Sequence, residues 1–393
     1  MRKKLSLIIM TIMMTLIYTC SCFATSVITT EKGEQETLDL PELNSDSAIV
    51  VDIKTGYTLY EKNILKKHYP ASITKILTSM LVLDNCEMDE TVTFSHDAVF
   101  AIKSGESSAY ADEGENMTVL QCMYGLMLVS ANDIANALAE HVSGSNQEIA
   151  KLMNEKAKEL GCINSNFVNP HGLHDENHYT CAYDMALIGK KAYSDYSMYR
   201  ELIHTIRYEV PPTNKMNETR YWKNSNKLMI SGEKFYYPDC FGGKTGYTTE
   251  AGETLVTYAN INGRVFMVVT LNSPSSSGAY SDNIAIYEYL KENVDSSYFE
   301  RLDEKYMADR DKFEEETETS QTDENESSNI TNTDSKDNGN EDEKSEISFF
   351  DIIINIFKII VILAVLVYAV LRIRLEIKRY KRKKRRKRRR RKM

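Results

Sequence analysis

Residues 372–393 carry sixteen Lys or Arg and a single acid, Glu376, and they follow directly on an apolar run at 352–371 that only Asn355 and Lys358 interrupt. This pairing constrains the chain more than any other feature, because neither half can join a globular core. A helix of about 20 apolar residues is about 30 Å long, the thickness of a bilayer's hydrocarbon core. Excess Lys and Arg beside such a span marks the cytoplasmic side. The expectation is a transmembrane helix over 349–371 and a basic cytoplasmic tail over 372–393 that also touches anionic lipid. A nucleic-acid arm is the competing reading of the tail. A tail fused directly to a span is more simply an orientation signal.

At the other end, Arg2, Lys3 and Lys4 precede an apolar stretch at 5–17, and Cys22 and Ala24 are small residues suited to a cut after Ala24. This is the pattern of a secretory signal over 1–24, with an uncleaved anchor as the alternative. Residues 311–346 hold fourteen acids and three bases. With so little to bury, 311–348 is expected to be a disordered, self-repelling stalk. Together the two ends place the intervening domain outside the cell, as part of a single-pass membrane protein. The stretch 25–310 then carries −16 within a total of −9. So acidic a surface repels phosphate and argues against nucleic acid as a partner. Outside the signal, Cys86, Cys122, Cys162, Cys181 and Cys240 are scattered, without CxxC or Cys/His spacing. Neither a disulfide framework nor a zinc site is expected, and these thiols read as small buried hydrophobes.

Within the domain, 25–44 is a polar lead-in. Two strand-like segments, 48–52 and 57–60, flank Lys54-Thr55-Gly56 and predict a β-hairpin. Ile73, Ile76, Leu77, Met80, Leu81 and Leu83 recur at helical spacing after Pro70. Thr118 can cap a helix to Val129, Asp133 can cap the next, and 147–160 and 181–194 supply two more, the former closed by Gly161. Strands return at 254–259 and 264–272 around Asn262-Gly263, a strong hairpin turn signal. Ser281 is expected to open a last helix to about Asn293. Strands at both ends of the domain with helices between predict one antiparallel sheet with a helical subdomain inserted.

Ser72-Ile73-Thr74-Lys75 lies at a predicted helix start, where residues three apart share a face. A serine hydroxyl is a poor nucleophile until a base takes its proton. Lys75 can be that base only when neutral, which burial or a neighbouring cation would favour. Alone, Ser-x-x-Lys is a common pattern. Here Ser130-Ala131-Asn132 follows 58 residues later, at a break between helices, and Lys244-Thr245-Gly246 lies 114 residues beyond that, ahead of strand-like sequence.

Ser-x-x-Lys, Ser-x-Asn and Lys-Thr-Gly in that order form the signature of penicillin-binding proteins and serine β-lactamases. The surrounding residues sharpen the likeness: Tyr69 to Lys75, Ser130 to Asp133, Phe167 to Leu173 and Lys244 to Gly252. Over 45–295 the chain resembles the low-molecular-mass D-alanyl-D-alanine carboxypeptidases. The resemblance implies an α/β (α+β) fold of the serine β-lactamase/DD-peptidase kind, an antiparallel sheet flanked by helices. It implies a serine-type carboxypeptidase that removes the terminal D-alanine from peptidoglycan pentapeptide, and β-lactam antibiotics as covalent inhibitors, with no metal or cofactor.

On that resemblance Ser72 is the acylated nucleophile, Lys75 its base and Ser130 the proton relay to the leaving nitrogen. Asn132 holds a substrate amide, Lys244 and Thr245 bind the substrate carboxylate, and Lys244 lowers the pKa of Lys75. The amides of Ser72 and Tyr247 form the oxyanion hole. Gly246 leaves room for substrate along the strand, and His171 and His178 belong to a structural loop. Two departures stand out. Many relatives carry an Arg where Gly278-Ala279-Tyr280-Ser281-Asp282 stands, so carboxylate binding is expected to rest on Lys244, Thr245 and Thr248. Only about 15 residues separate Asn293 from the acidic stalk, too few for the second β-domain many relatives have. A β-lactamase would need a deacylating Glu, and no Glu-x-x-x-Asn lies between Asn132 and Lys244. A wall-binding protein that only kept the fold would have no reason to retain Ser72, Lys75, Ser130 and Lys244 together.

Overall fold

In the computed structural model, which describes residues 40–326, the expected hairpin forms from β1 (Ser47–Asp52) and β2 (Thr58–Lys62). At the far end of the domain, β7 (Cys240–Thr248), β8 (Gly252–Ile261) and β9 (Arg264–Ser273) follow one another as antiparallel neighbours. β1 closes against β9 with Ile49 opposite Val269, giving a sheet in the order β2-β1-β9-β8-β7. The turn at Asn262-Gly263 has φ of 54° and 86°, the left-handed pair a two-residue hairpin needs.

Period-two alternation sends the side chains of β1 and β9 to two cores. Ile49, Val51, Met267 and Val269 pack under the helical lobe. Ala48, Val50, Phe266 and Val268 pack on the opposite face, against Ile286, Tyr287 and Leu290 of α8 (Ser276–Asn293). A sheet covered on both faces explains why 48–51 reads as an unbroken apolar run.

The lobe between β2 and β7 is helical, as expected. A 3₁₀ turn (Ala71–Thr74) leads into α1 (Lys75–Asn85), whose first eight residues are all buried. After β3 (Thr91–Thr93), α2 (His96–Phe100) and β4 (Asn116–Thr118) come α3 (Val119–Leu128) and α4 (Asn132–Ser143). α5 (Asn146–Glu159), α6 (Ala182–Asp195) and α7 (Ser197–His204) follow, and β5 (Arg207–Val210) with β6 (Arg220–Lys223) forms a short ladder. Thr118 caps α3 in a capping box with Gln121. Gly161 ends α5 at φ 84°. The five cysteines are free thiols, three buried and two half-buried.

Three expectations are corrected. α4 begins at Asn132 behind Ala131, so Asp133 sits inside the first turn and does not cap it. α8 starts at Ser276, not Ser281, because the Ser275 hydroxyl accepts the Gly278 N–H and caps the helix five residues earlier. A last helix, α9 (Ser296–Glu326), runs into the segment expected to be a structureless stalk. Glu is a good helix former that needs no core to be helical, which a burial argument overlooks. Among the described residues no helix is long and apolar enough to cross a membrane. The expected signal over 1–24, span over 349–371 and tail over 372–393 lie outside the described residues, as do most of the lead-in and the rest of the stalk.

Candidate active site

The Ser-x-x-Lys tetrad straddles the junction between the 3₁₀ turn and α1. In a 3₁₀ turn side chains at i and i+3 eclipse one another, which suits this pair better than an α-helical turn. Lys75 Nζ lies 3.0 Å from Ser72 Oγ, 2.7 Å from Asn132 Oδ1 and 2.8 Å from the carbonyl oxygen of His171. The two carbonyl oxygens can only accept. A neutral amine that donates its two protons to them presents its lone pair to the Ser72 hydroxyl, the orientation a base requires. Lys75 is fully buried, and its pKa is driven well below the ordinary lysine value, first by desolvation and then by the charge of Lys244, against a smaller upward pull from Asp133.

Lys244, on β7, is also buried, and desolvation takes it down to about 7. Its ammonium donates to Ser130 Oγ at 3.0 Å and to the Thr245 carbonyl at 2.8 Å. Ser130 occupies the expected break between α3 and α4, with φ at 60°. Ala71, beside the nucleophile, has φ 49°. Strain of this kind gathers at sites the surrounding fold over-determines. Thr245 Oγ1 meets Ser225 Oγ at 2.8 Å.

Gly246 has a packing reason of its own. A Cβ there would lie 2.7 Å from the Ser72 nitrogen and 2.4 Å from Thr254 Oγ1. The missing Cβ lets β7 abut the nucleophile's own turn. Tyr247 next to it is exposed. Gly172, at φ 87°, does the same from the other side, since a Cβ there would sit 1.8 Å from the Ala71 carbonyl oxygen. The loop through Gly172 thus presses the 3₁₀ turn toward β7 and delivers the His171 carbonyl to Lys75.

The two histidines stay out of the proton chemistry. His178 Nδ1 accepts the Val168 N–H at 3.1 Å, which leaves the proton on Nε2 to donate to Thr74 Oγ1 at 2.9 Å. Burial lowers His178 to about 4. Burial, then the charges of Lys75 and His178, takes His171 well below the usual imidazole range. Both are neutral props.

All eight expected site residues except Lys75 and Lys244 line one cleft of about 910 Å³, and those two lysines are buried beside it, bonded to Ser72 and Ser130 of its lining. Sequence reasoning missed three parts of it. Ser225 is a lone serine between β6 and β7 with no local signal. The His171 carbonyl is main chain and invisible to residue type. The wall at 103–107 is fixed by the Asn132 N–H donating to the Ser107 carbonyl at 2.9 Å. Tyr280, the aromatic of the stretch that lacks the expected Arg, is buried and donates its hydroxyl to the Ser225 carbonyl at 3.3 Å. Asp282 accepts from Asn44 and Ser45, so this stretch anchors the lead-in.

A sequence model of the D-alanyl-D-alanine carboxypeptidase family matches residues 33–275. The chain belongs to that family. The D-alanyl-D-alanine carboxypeptidase DacF of Bacillus subtilis is 36% identical over 236 residues, 58% of this chain and 57% of its own length. The D-alanyl-D-alanine carboxypeptidase DacA of Haemophilus influenzae is 31% identical over 61% of this chain and 59% of its own. The chain therefore spans somewhat more than half the length of these curated carboxypeptidases. Among solved structures, a Streptomyces DD-transpeptidase superposes with a TM-score of 0.58 at 29% identity, over 64% of this chain and 98% of its own. The structural neighbours share the mixed architecture of helices on an antiparallel sheet.

Proposed function

We propose that this carboxypeptidase-family chain is a serine-type D-Ala-D-Ala carboxypeptidase acting on peptidoglycan stem peptides through an acyl-enzyme on Ser72. One observation carries the reading: a buried, neutralised Lys75 whose two carbonyl acceptors turn its lone pair onto Ser72 Oγ. Lys75 takes the Ser72 proton as Oγ attacks the carbonyl of the penultimate D-alanine. The amide of Ser72 lies in the first turn, where N–H groups lack helical partners. With that of Tyr247 it receives the negative charge on the carbonyl oxygen. The C–N bond breaks as Ser130 passes a proton to the departing D-alanine nitrogen, and the proton that Lys75 took from Ser72 replaces it on Ser130, which leaves Lys75 neutral again and Lys244 charged. Water then releases the peptide from Ser72. Asn132, its Oδ1 held by Lys75, keeps its NH₂ for a substrate carbonyl, while Lys244 and Thr245 face the terminal carboxylate.

Penicillin presents the same carbonyl and carboxylate. The full chain should therefore form a long-lived adduct on Ser72, seen by intact mass and peptide mapping, and release D-alanine from a short peptide ending in D-Ala-D-Ala. An unmodified mass, or rapid turnover of the drug, would refute the reading. We infer further, from the charge pattern of the two ends, that the domain is displayed outside the membrane by a single span with the basic tail inside. Protease treatment of wall-stripped cells should shed the domain and spare a tail epitope. Digestion of that epitope in intact cells would overturn the topology.

A further inference from the structure

Asp133, missing from the cap it was expected to make, is buried. Its carboxylate instead gathers the neighbouring loop, accepting from the Ser108 hydroxyl at 2.7 Å, the Ala109 N–H at 3.0 Å and the Ala111 N–H at 3.2 Å. Two converging amides around one carboxylate force the residue between them into the left-handed region. That residue is Tyr110, at φ 56°. Glycine would sit there without strain and asparagine with little. A tyrosine sits there instead, 81% exposed. The strained backbone thus holds an aromatic ring out toward solvent, where a ligand can reach it.

Tyr110 lines a second cavity of about 470 Å³ with Ile102, Ser104, Glu106, Ser108 and Asp112. This cavity shares the wall at 103–106 with the catalytic cleft. An exposed aromatic face beside hydroxyls and carboxylates is chemistry for a sugar, whose C–H face stacks on the ring while its hydroxyls donate to the acids. We propose that this cavity is a saccharide subsite for the glycan strand of the wall polymer. The proposal rests on the carboxypeptidase reading, because the polymer that delivers a stem peptide to Ser72 carries its sugars within reach of an adjoining cavity.

The test uses the full chain and Tyr110→Gly, a change that removes the ring and relieves the backbone at once, so that loss of binding cannot come from misfolding. Wild type should bind peptide-free glycan chains in a fluorescence or NMR titration. Tyr110→Gly should lose about tenfold or more of that affinity while its melting temperature holds or rises, and Tyr110→Trp should retain it. The rate of D-alanine release from polymeric wall should fall about tenfold in Tyr110→Gly relative to the rate on a short peptide. The proposal is overturned if wild type does not bind the glycan, if Tyr110→Gly binds it equally, if a sugar-free stem peptide displaces it, or if both rates fall together. Glycan binding by a protein that neither releases D-alanine nor takes up penicillin would leave the subsite standing and remove the carboxypeptidase reading.

Discussion

Two buried lysines have opposite requirements in the proposed reaction. Lys75 must be neutral to accept the Ser72 proton, and Lys244 must be charged to hold a carboxylate and donate to Ser130. Burial depresses both, and the charge on Lys244 adds to the depression of Lys75, so Lys75 loses its proton first. The pH profile of kcat/KM, which reports the free enzyme, should therefore be bell-shaped. Activity is lost as pH falls through the depressed value of Lys75, because the base becomes protonated. It is lost again as pH rises through about 7, where free Lys244 discharges. Lys75→Ala should lower acylation by ~10²–10⁴-fold, the usual contribution of a positioned base. Lys244→Arg should be slower overall, yet its alkaline limb should move well upward, since a guanidinium stays charged. An alkaline limb that stays near neutrality in the Arg variant would show that another group sets it.

At the scale of elements, what could be read in advance depended on local chemistry. The β1–β2 hairpin, the Asn262-Gly263 turn and the Thr118 cap announced themselves because turn and cap residues act within three or four positions. The Ser72–Lys75 pair was legible for the same reason, although the 3₁₀ turn that eclipses it was not. Long-range demands were hidden. Nothing beside Asp133 says that its carboxylate will organise 108–111 in preference to its own helix. Gly172 and Gly246 read as a loop glycine and a motif glycine. Only the assembled fold shows them clamping the nucleophile's turn from two sides, each at a distance where a Cβ would collide. The start of α8 was missed because Ser275-Ser276-Ser277-Gly278 has the composition of a loop, while its first serine is in fact a cap. The helix that enters the start of the expected stalk, to Glu326, follows from helix propensity, which a burial argument does not weigh.

At the scale of the whole domain, one cation ties the first strand, the last strand and the last helix together. Arg264, at the start of β9, donates to both oxygens of Asp52 at the end of β1, at 2.8 and 2.7 Å, and to Asp303 of α9 at 3.0 and 2.8 Å. Lys54 joins Asp303 from the hairpin turn. Nearby Tyr57 packs edge-on against Tyr306 and donates its hydroxyl to Asp309. The two ion pairs are unequal. Asp52 is fully buried, so water cannot replace a lost partner, whereas the side chain of Asp303 is 33% exposed and water can. Hydrogen bonds from Arg264 and then Lys54 hold Asp303 down to about 2, so its share of stability is fully present above the ordinary carboxylate range and fades only as pH falls toward that value. Removing one partner of a buried pair costs about 3–5 kcal/mol because the other charge is stranded, while an exposed pair contributes about 0–1 kcal/mol. Arg264→Ala should therefore lower the urea midpoint far more than Asp303→Ala. Adding Asp52→Asn to Arg264→Ala should recover part of the loss by removing the stranded charge. Equal shifts for Arg264→Ala and Asp303→Ala, with no recovery in the double variant, would mean that Arg264 acts only by docking α9, and that the strand-to-strand pair with Asp52 contributes little to holding the sheet closed.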